Sequence, residues 1–219
     1  MRTSLPPRTR VGRTGPDRDA ALSQYRSRAS TYDRELAPFE PLRRLAIGRL
    51  GLHTGQSVLD VGCGTGLSLA LLKRAVGRPG RVVGIEQSPQ MLARAQARVQ
   101  SAGLTHVKLV CAPVEEARIT LRADAALLHF THDILRRPEA LDQVLRHLAP
   151  GARLVATGLQ WAPAWAVPLN LFVWGAALRS VSSLRGLQQP WDLLAERADI
   201  VEVQTLLMGA VYLVVARRR

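Results

Sequence analysis

The stretch Val58-Leu59-Asp60-Val61-Gly62-Cys63-Gly64-Thr65-Gly66 runs from an apolar pair through an acid into three glycines at alternate positions. An apolar, helix-spaced run over 67–76 follows it. Physically this is a buried strand, a tight turn and a helix start. Glycine belongs in such a turn because a Cβ would block both the required backbone angles and the close approach of a ligand. The N–H groups at the helix start lack partners within the helix, so they offer a seat for a polar or anionic group.

Spacing narrows what that seat can hold. The dinucleotide fingerprint G-x-G-x-x-G needs its third glycine at position 67, where it lets helix and strand pack closely. Leu67 stands there, the third glycine falls one place early at Gly66, and Asp60 is no part of that fingerprint. The nine residues resemble motif I of the class I S-adenosylmethionine (SAM)-dependent methyltransferases, V-L-D-x-G-C-G-T-G. A second, shorter match, Ala29-Ser30-Thr31-Tyr32-Asp33, resembles the A-x-x-Y-D signature of the quinone-biosynthesis branch. Together the resemblance covers roughly residues 25–160 and implies SAM as the cofactor.

Outward from the glycine turn the chain alternates regularly. The pattern predicts a helix over 67–76, stopped by Gly77, Pro79 and Gly80, then a strand over 81–86. Ser88-Pro89 opens a helix to about Ser101, with serine at the cap and proline at the first helical position. Strands are predicted over 107–110 and 124–129, a helix over 138–148, and a Pro150-Gly151 turn into a strand over 152–157. Strands over 200–205 and 211–216, joined around Met208-Gly209, read as an edge hairpin. Alternating strands and helices imply an α/β, doubly wound, mostly parallel sheet with ligands at the carboxyl ends of its strands. The resemblance implies seven strands with the last one antiparallel. Ahead of the sheet, residues 20–50 read as a helical segment interrupted around Pro38 and Pro41.

One domain is expected from 219 residues of which 47% are hydrophobic. Net charge is +13, but its location matters. Residues 1–34 hold eight arginines against Asp17, Asp19 and Asp33, and Arg217, Arg218 and Arg219 close the chain, so eight of the thirteen excess charges lie at the two ends. Residues 1–19 therefore read as a disordered basic tail and 20–219 as the methyltransferase domain. A nucleic-acid partner is not expected, nor is a secretory signal, since no apolar stretch accompanies the early arginines. Cys63 and Cys111 lack metal spacing and read as free thiols of a reducing, cytoplasmic compartment.

Residue by residue, the resemblance implies a cofactor site. Asp60 meets the methionine ammonium, directly or through water, and orders the turn made by Gly62, Cys63, Gly64 and Gly66. Glu86 ends the second strand twenty residues after Gly66, where a carboxylate can accept two hydrogen bonds from a ribose diol. Gln87 and Met91 flank the adenine, and Tyr32 closes over the cofactor. Where relatives carry Gly-Asp-Ala-Glu, this chain has Ala112-Pro113-Val114-Glu115, so the acid is replaced by Pro113 and only the Val114 N–H is left to read the ring.

The stretch His129-Phe130-Thr131-His132-Asp133 falls where the family transfers the methyl group. His129, at the strand end, is the first candidate for a base; His132 beside Asp133 is the second. Packing or capping the loop is the alternative for either. No Asn-Pro-Pro-Tyr or Asp-Pro-Pro-Tyr occurs there, which argues against amino methylation of DNA bases. Residues 154–178 contain no charged residue but hold Trp161, Trp165, Phe172 and Trp174. Pro163 and Pro168 interrupt this stretch, which argues against a span; 159–189 reads as an aromatic lid over an apolar acceptor, with packing on the helical layer and docking on a membrane surface as the alternatives. The resulting expectation is methyl transfer to a small, largely apolar molecule such as a quinone or polyketide-like metabolite. A lipid methyltransferase at a membrane surface and a SAM-binding, inactive partner subunit are the alternatives.

Overall fold

Each inner strand of this chain is apolar on both sides, as a parallel strand covered by helices must be. The computed structural model describes residue 33, residues 36–178 and residues 186–219. Its seven strands are β1 (Ser57–Val61), β2 (Arg81–Glu86), β3 (Val107–Cys111), β4 (Ala123–His129), β5 (Leu148–Leu159), β6 (Asp199–Leu206) and β7 (Val211–Arg217). They form one sheet in the order β3-β2-β1-β4-β5-β7-β6. Only β7 runs antiparallel to its neighbours, β5 and β6. The doubly wound, mostly parallel sheet expected from the sequence is what the chain forms.

Helices α1 (Glu40–Arg49), α2 (Leu69–Val76), α3 (Pro89–Ser101), α4 (His132–Leu135), α5 (Pro138–Arg146), α6 (Val167–Leu178) and α7 (Asp192–Ala195) accompany the strands. The period-two alternation of strand side chains divides the core. Val58, Val82, Leu127, Val155 and Leu213 pack with Ala46 of α1, Leu72 of α2 and Val99 of α3. Leu59, Ile85, Leu128, Leu154 and Tyr212 pack on the other face with Leu141 and Val144 of α5. β1 thus lies between β2 and β4, where the winding reverses, and the crevice at the carboxyl ends of β1 and β4 is where such sheets receive ligands.

Most predicted elements sit where expected, and the differences have local causes. The helix after the glycine turn starts at Leu69, two residues late, because Gly66 holds φ +83° and the chain is still turning through Ser68. Pro41 does not interrupt α1; it occupies the helix's first turn, where a missing N–H is harmless. Pro150-Gly151 does not precede β5 but bulges out of it. Leu148, fully buried, already pairs with Ala123, and pairing resumes at Arg153 with Ala125. The helix before it accordingly ends at Arg146. Two short helices, α4 and α7, carry too few residues for a periodic signal.

The stretch read as a lid contains α6. Trp165, Phe172 and Trp174 face solvent there, at 74%, 51% and 49% exposure. Neither of the two cavities described below is lined by residues 159–178. The residues 1–19 and Tyr32 lie outside the described residues. Among the described residues no helix is long and apolar enough to cross a membrane, and no cluster of three or more His, Cys, Asp or Glu could hold a metal. Cys63 and Cys111 are both free, the first buried and the second exposed.

Candidate active site

The glycine turn is held by the strand beside it. Gly62 and Cys63 both donate to the Ile85 carbonyl (2.8 and 2.9 Å), so the turn is strapped to β2. Gly62 has φ +71°, and a Cβ there would lie 2.6 Å from Thr131 Cγ2 and 3.0 Å from Ile134 Cδ1. Backbone conformation and space both demand glycine. Gly62→Ala is expected to lower stability by about 2–3 kcal/mol and cofactor affinity by about tenfold, read by urea unfolding and calorimetry.

Glu86 finishes β2 with its carboxylate buried (8% exposed). Its Oε2 accepts from Gly64 N (3.1 Å) and its Oε1 from Ser88 N (2.7 Å). One carboxylate therefore ties the turn to the start of α3, and each oxygen keeps a further lone pair for a ligand hydroxyl. Burial raises its pKa, while the N–H groups of Ser88, Gly64 and Gln87 pull it down. Ser88 caps α3, its Oγ accepting from Met91 N (3.4 Å), as the sequence predicts.

Asp60 lies at the carboxyl end of β1, 2% exposed, and its Oδ2 has no hydrogen-bond partner. Burial is the largest influence and lifts its pKa from 3.8 to about 7; Arg43 opposes the rise and Glu86 adds to it. Arg43 is the residue the sequence gave no reason to single out. It sits on the inner face of α1 at 2% exposure, paired to Glu40 through Nη1, while its Nε has no partner. Only a polar position within the apolar face Leu42, Ala46 and Ile47 could have flagged it.

His129 ends β4 with both ring nitrogens buried and lacking hydrogen-bond partners. Burial first, then the charge of Arg43, brings its pKa down to about 3, so the imidazole is neutral. Next to it Phe130 adopts φ +58°, a strained backbone for a bulky residue, and its ring stands edge-on between His129 and Phe39 (4.8 and 4.9 Å). Thr157, paired with His129 across the strands, buries an Oγ1 that also lacks a partner. Such atoms await a ligand or water, since unpaired buried polar groups are costly.

Two clefts meet at this point. The larger, about 800 Å³, is lined by Glu86, Gln87, Met91, Val114, His129 and His132, together with the ion pair Arg137–Glu115 (3.0 Å). The smaller, about 310 Å³, is lined by Arg43, Asp60, Cys63, Thr65, Ser68 and His129. Gly62, Gly64 and His129 line both. His132 borders only the larger cleft, which separates the two histidines. Gly66 lines neither of the two; a Cβ there would lie 2.8 Å from Leu69 Cδ1 and 3.0 Å from the Ala95 Cβ, so it permits close packing of α2 and α3. Pro113 leaves Val114 buried at the cleft, with the Glu115 carboxylate beside it.

Asp33, the acid of the A-x-x-Y-D signature, accepts from Thr65 Oγ1 (2.6 Å) and pairs with Arg98 of α3 (2.7 Å). Asp33 is thereby tied to the glycine turn and to α3. This set of groups fits SAM. An orphaned carboxylate and an underused guanidinium in one cleft suit an amino-acid zwitterion, and a carboxylate with spare lone pairs in the other suits a ribose.

Residues 58–151 match the family described as Methyltransferase domain. Aklanonic acid methyltransferase DauC of Streptomyces sp. (strain C5) is 30% identical over 133 residues, which is 59% of this chain and 60% of the relative. Ubiquinone/menaquinone biosynthesis C-methyltransferase UbiE of Methylococcus capsulatus is 29% identical over 126 residues, 52% of this chain and 47% of the relative. The chain spans less than two thirds of the length of these curated relatives. A solved SAM-dependent methyltransferase from Aquifex aeolicus shares the fold with a TM-score of 0.62 at 23% identity, over 90% of this chain and 98% of that one. The matched segment begins at the strand, turn and helix that build both clefts, and over that segment the chain is similar to SAM-dependent methyltransferases and shares their fold.

Proposed function

We propose that this chain transfers a methyl group from SAM to a small, largely apolar acceptor. The observation that carries the reading is the meeting of the two clefts at His129, with Asp60 and Arg43 in one and Glu86 in the other. Asp60 would hold the ammonium and Arg43 the carboxylate of the methionine part. Glu86 would hold the ribose hydroxyls, and Gln87, Met91 and Val114 would flank the adenine. When bound, SAM supplies a methyl group made electrophilic by its sulfonium. The protein then has chiefly to keep water out and hold the acceptor in line.

His129 borders both clefts and is the residue best situated to meet the acceptor. As a neutral imidazole it can accept a hydrogen bond from an acceptor hydroxyl at any pH above about 3. Relatives named for aklanonic acid and for ubiquinone/menaquinone biosynthesis support a small acceptor. The mixed lining of the larger cleft, apolar Ile85, Met91 and Val114 beside polar Glu86 and His132, agrees with it.

The test combines SAM calorimetry with a methyl-transfer screen of phenols and quinols. Binding with turnover is the expected result; binding with none across the screen would favour an inactive, SAM-binding partner subunit. His129→Ala is expected to lower kcat about 100-fold while leaving the SAM affinity within about threefold. Unchanged turnover in that variant would remove His129 from the reaction and leave His132 as the candidate.

A further inference from the structure

We propose that Thr157 is a positioning residue for His129: its hydroxyl accepts a hydrogen bond from Nδ1–H and leaves Nε2 as the acceptor turned to the clefts. The proposal rests on the reading of His129 as the group that meets the methyl acceptor.

The sheet register sets the two residues side by side. β4 and β5 run parallel, with His129 the partner of Thr157 and Leu127 the partner of Val155. Register partners on neighbouring strands point to the same face of a sheet, about 4.8 Å apart. Leu127 and Val155 pack in the core layer that holds Ala46 of α1, so His129 and Thr157 continue that row toward the carboxyl end. Thr157 is fully buried and its Oγ1 has no partner; both ring nitrogens of His129 are buried without one. Apart, such atoms are costly to bury. Together they are complementary, since a neutral imidazole has one N–H to give and a hydroxyl can accept it. A turn of the hydroxyl about χ1, or one bridging water, closes the contact.

Covalent structure chooses the nitrogen. Nδ1 is bonded to Cγ, on the strand side of the ring, as Oγ1 is bonded to the Thr157 Cβ; Nε2 lies on the far side. His129 borders both clefts while Thr157 lines neither, so the far side is the cleft side. The charged neighbours do not compete for the N–H. Arg43 carries donors only, and Asp60 stands opposite Leu127 rather than His129. A hydrogen bond at one ring nitrogen fixes which tautomer the other presents, and here it would leave Nε2 able to accept from a hydroxyl.

The full chain, isotope-labelled at histidine, would be read by nitrogen NMR of the imidazole rings, with the His129 signal identified by its loss in His129→Ala. Expected are one Nδ1–H tautomer in the parent, a mixture or reversal in Thr157→Val, and recovery in Thr157→Ser. Valine keeps the shape of threonine and removes an unpartnered hydroxyl, so thermal unfolding should not fall. On an acceptor from the phenol and quinol screen, Thr157→Val should lower kcat about tenfold at unchanged KM, and Thr157→Ser should restore it. An Nε2–H tautomer in the parent, or an unaltered spectrum in Thr157→Val, would overturn the proposal. So would a shifted tautomer with unchanged kcat. Full turnover by His129→Ala would instead overturn the reading of His129 itself, whichever tautomer is found.

Discussion

Asp60→Asn is expected to weaken SAM binding by about 100-fold or more at pH 8 while making the free protein more stable there. Both effects come from one buried carboxyl. Burial lifts its pKa from 3.8 to about 7, so between those values the folded chain holds a proton that the unfolded chain has released. Stability therefore falls as pH rises through that window, and the full deficit is present above about pH 7. At about 1.4 kcal/mol per pH unit it amounts to about 4 kcal/mol. Asparagine, always neutral, escapes the deficit. Its advantage should be largest at pH 8 and vanish near pH 4 in thermal or urea unfolding.

With the methionine ammonium held at Asp60 as proposed, cofactor binding would reverse the preference, because an ammonium there favours the ionised form. Affinity should fall by about tenfold per pH unit below about 7, with a proton released on binding, visible by calorimetry in buffers of different ionisation enthalpy. Asp60→Asn should flatten that dependence. A variant that binds like the parent at pH 8 would remove Asp60 from the cofactor seat.

Glu86→Ala should do the opposite to stability. It strips the acceptor from Gly64 N–H and Ser88 N–H together, and buried donors left unpaired cost about 1–3 kcal/mol each. A loss of about 2–4 kcal/mol is expected, with SAM affinity reduced at least about 100-fold on the proposed role of Glu86 toward the ribose. Glu86→Gln keeps one carbonyl oxygen and should recover part of the stability but less of the binding. Retained stability in the alanine variant would mean that the carboxylate does not organise the turn.

The largest part of this architecture was legible from local pattern alone. The span 57–111 reads directly because each element is bounded by its own chemistry: Gly77 and Pro79 stop a helix, and Ser88-Pro89 starts one. The glycine turn and the place of Glu86 at the end of β2 were legible for the same reason, since positive φ and short space fix the glycines locally. The bulge at Pro150-Gly151 was not, because it arises from Leu148 finding a buried place beside Ala123 across the sheet.

What the sequence determined by itself is the strand–turn–helix seat and the order of winding, both set by interactions between near neighbours in the chain. What only the tertiary structure decided is the electrostatics of the seat and the face the molecule turns outward. Arg43 precedes Asp60 by 17 positions and His129 by 86, and packing α1 against the carboxyl ends of β1 and β4 is what brings their charges to bear on one another. Likewise the aromatics after β5 read in the sequence as a lid over an acceptor. Trp165, Phe172 and Trp174 stand in solvent, while Val173 of the same segment packs with Ala162, Ala166 and Ala210.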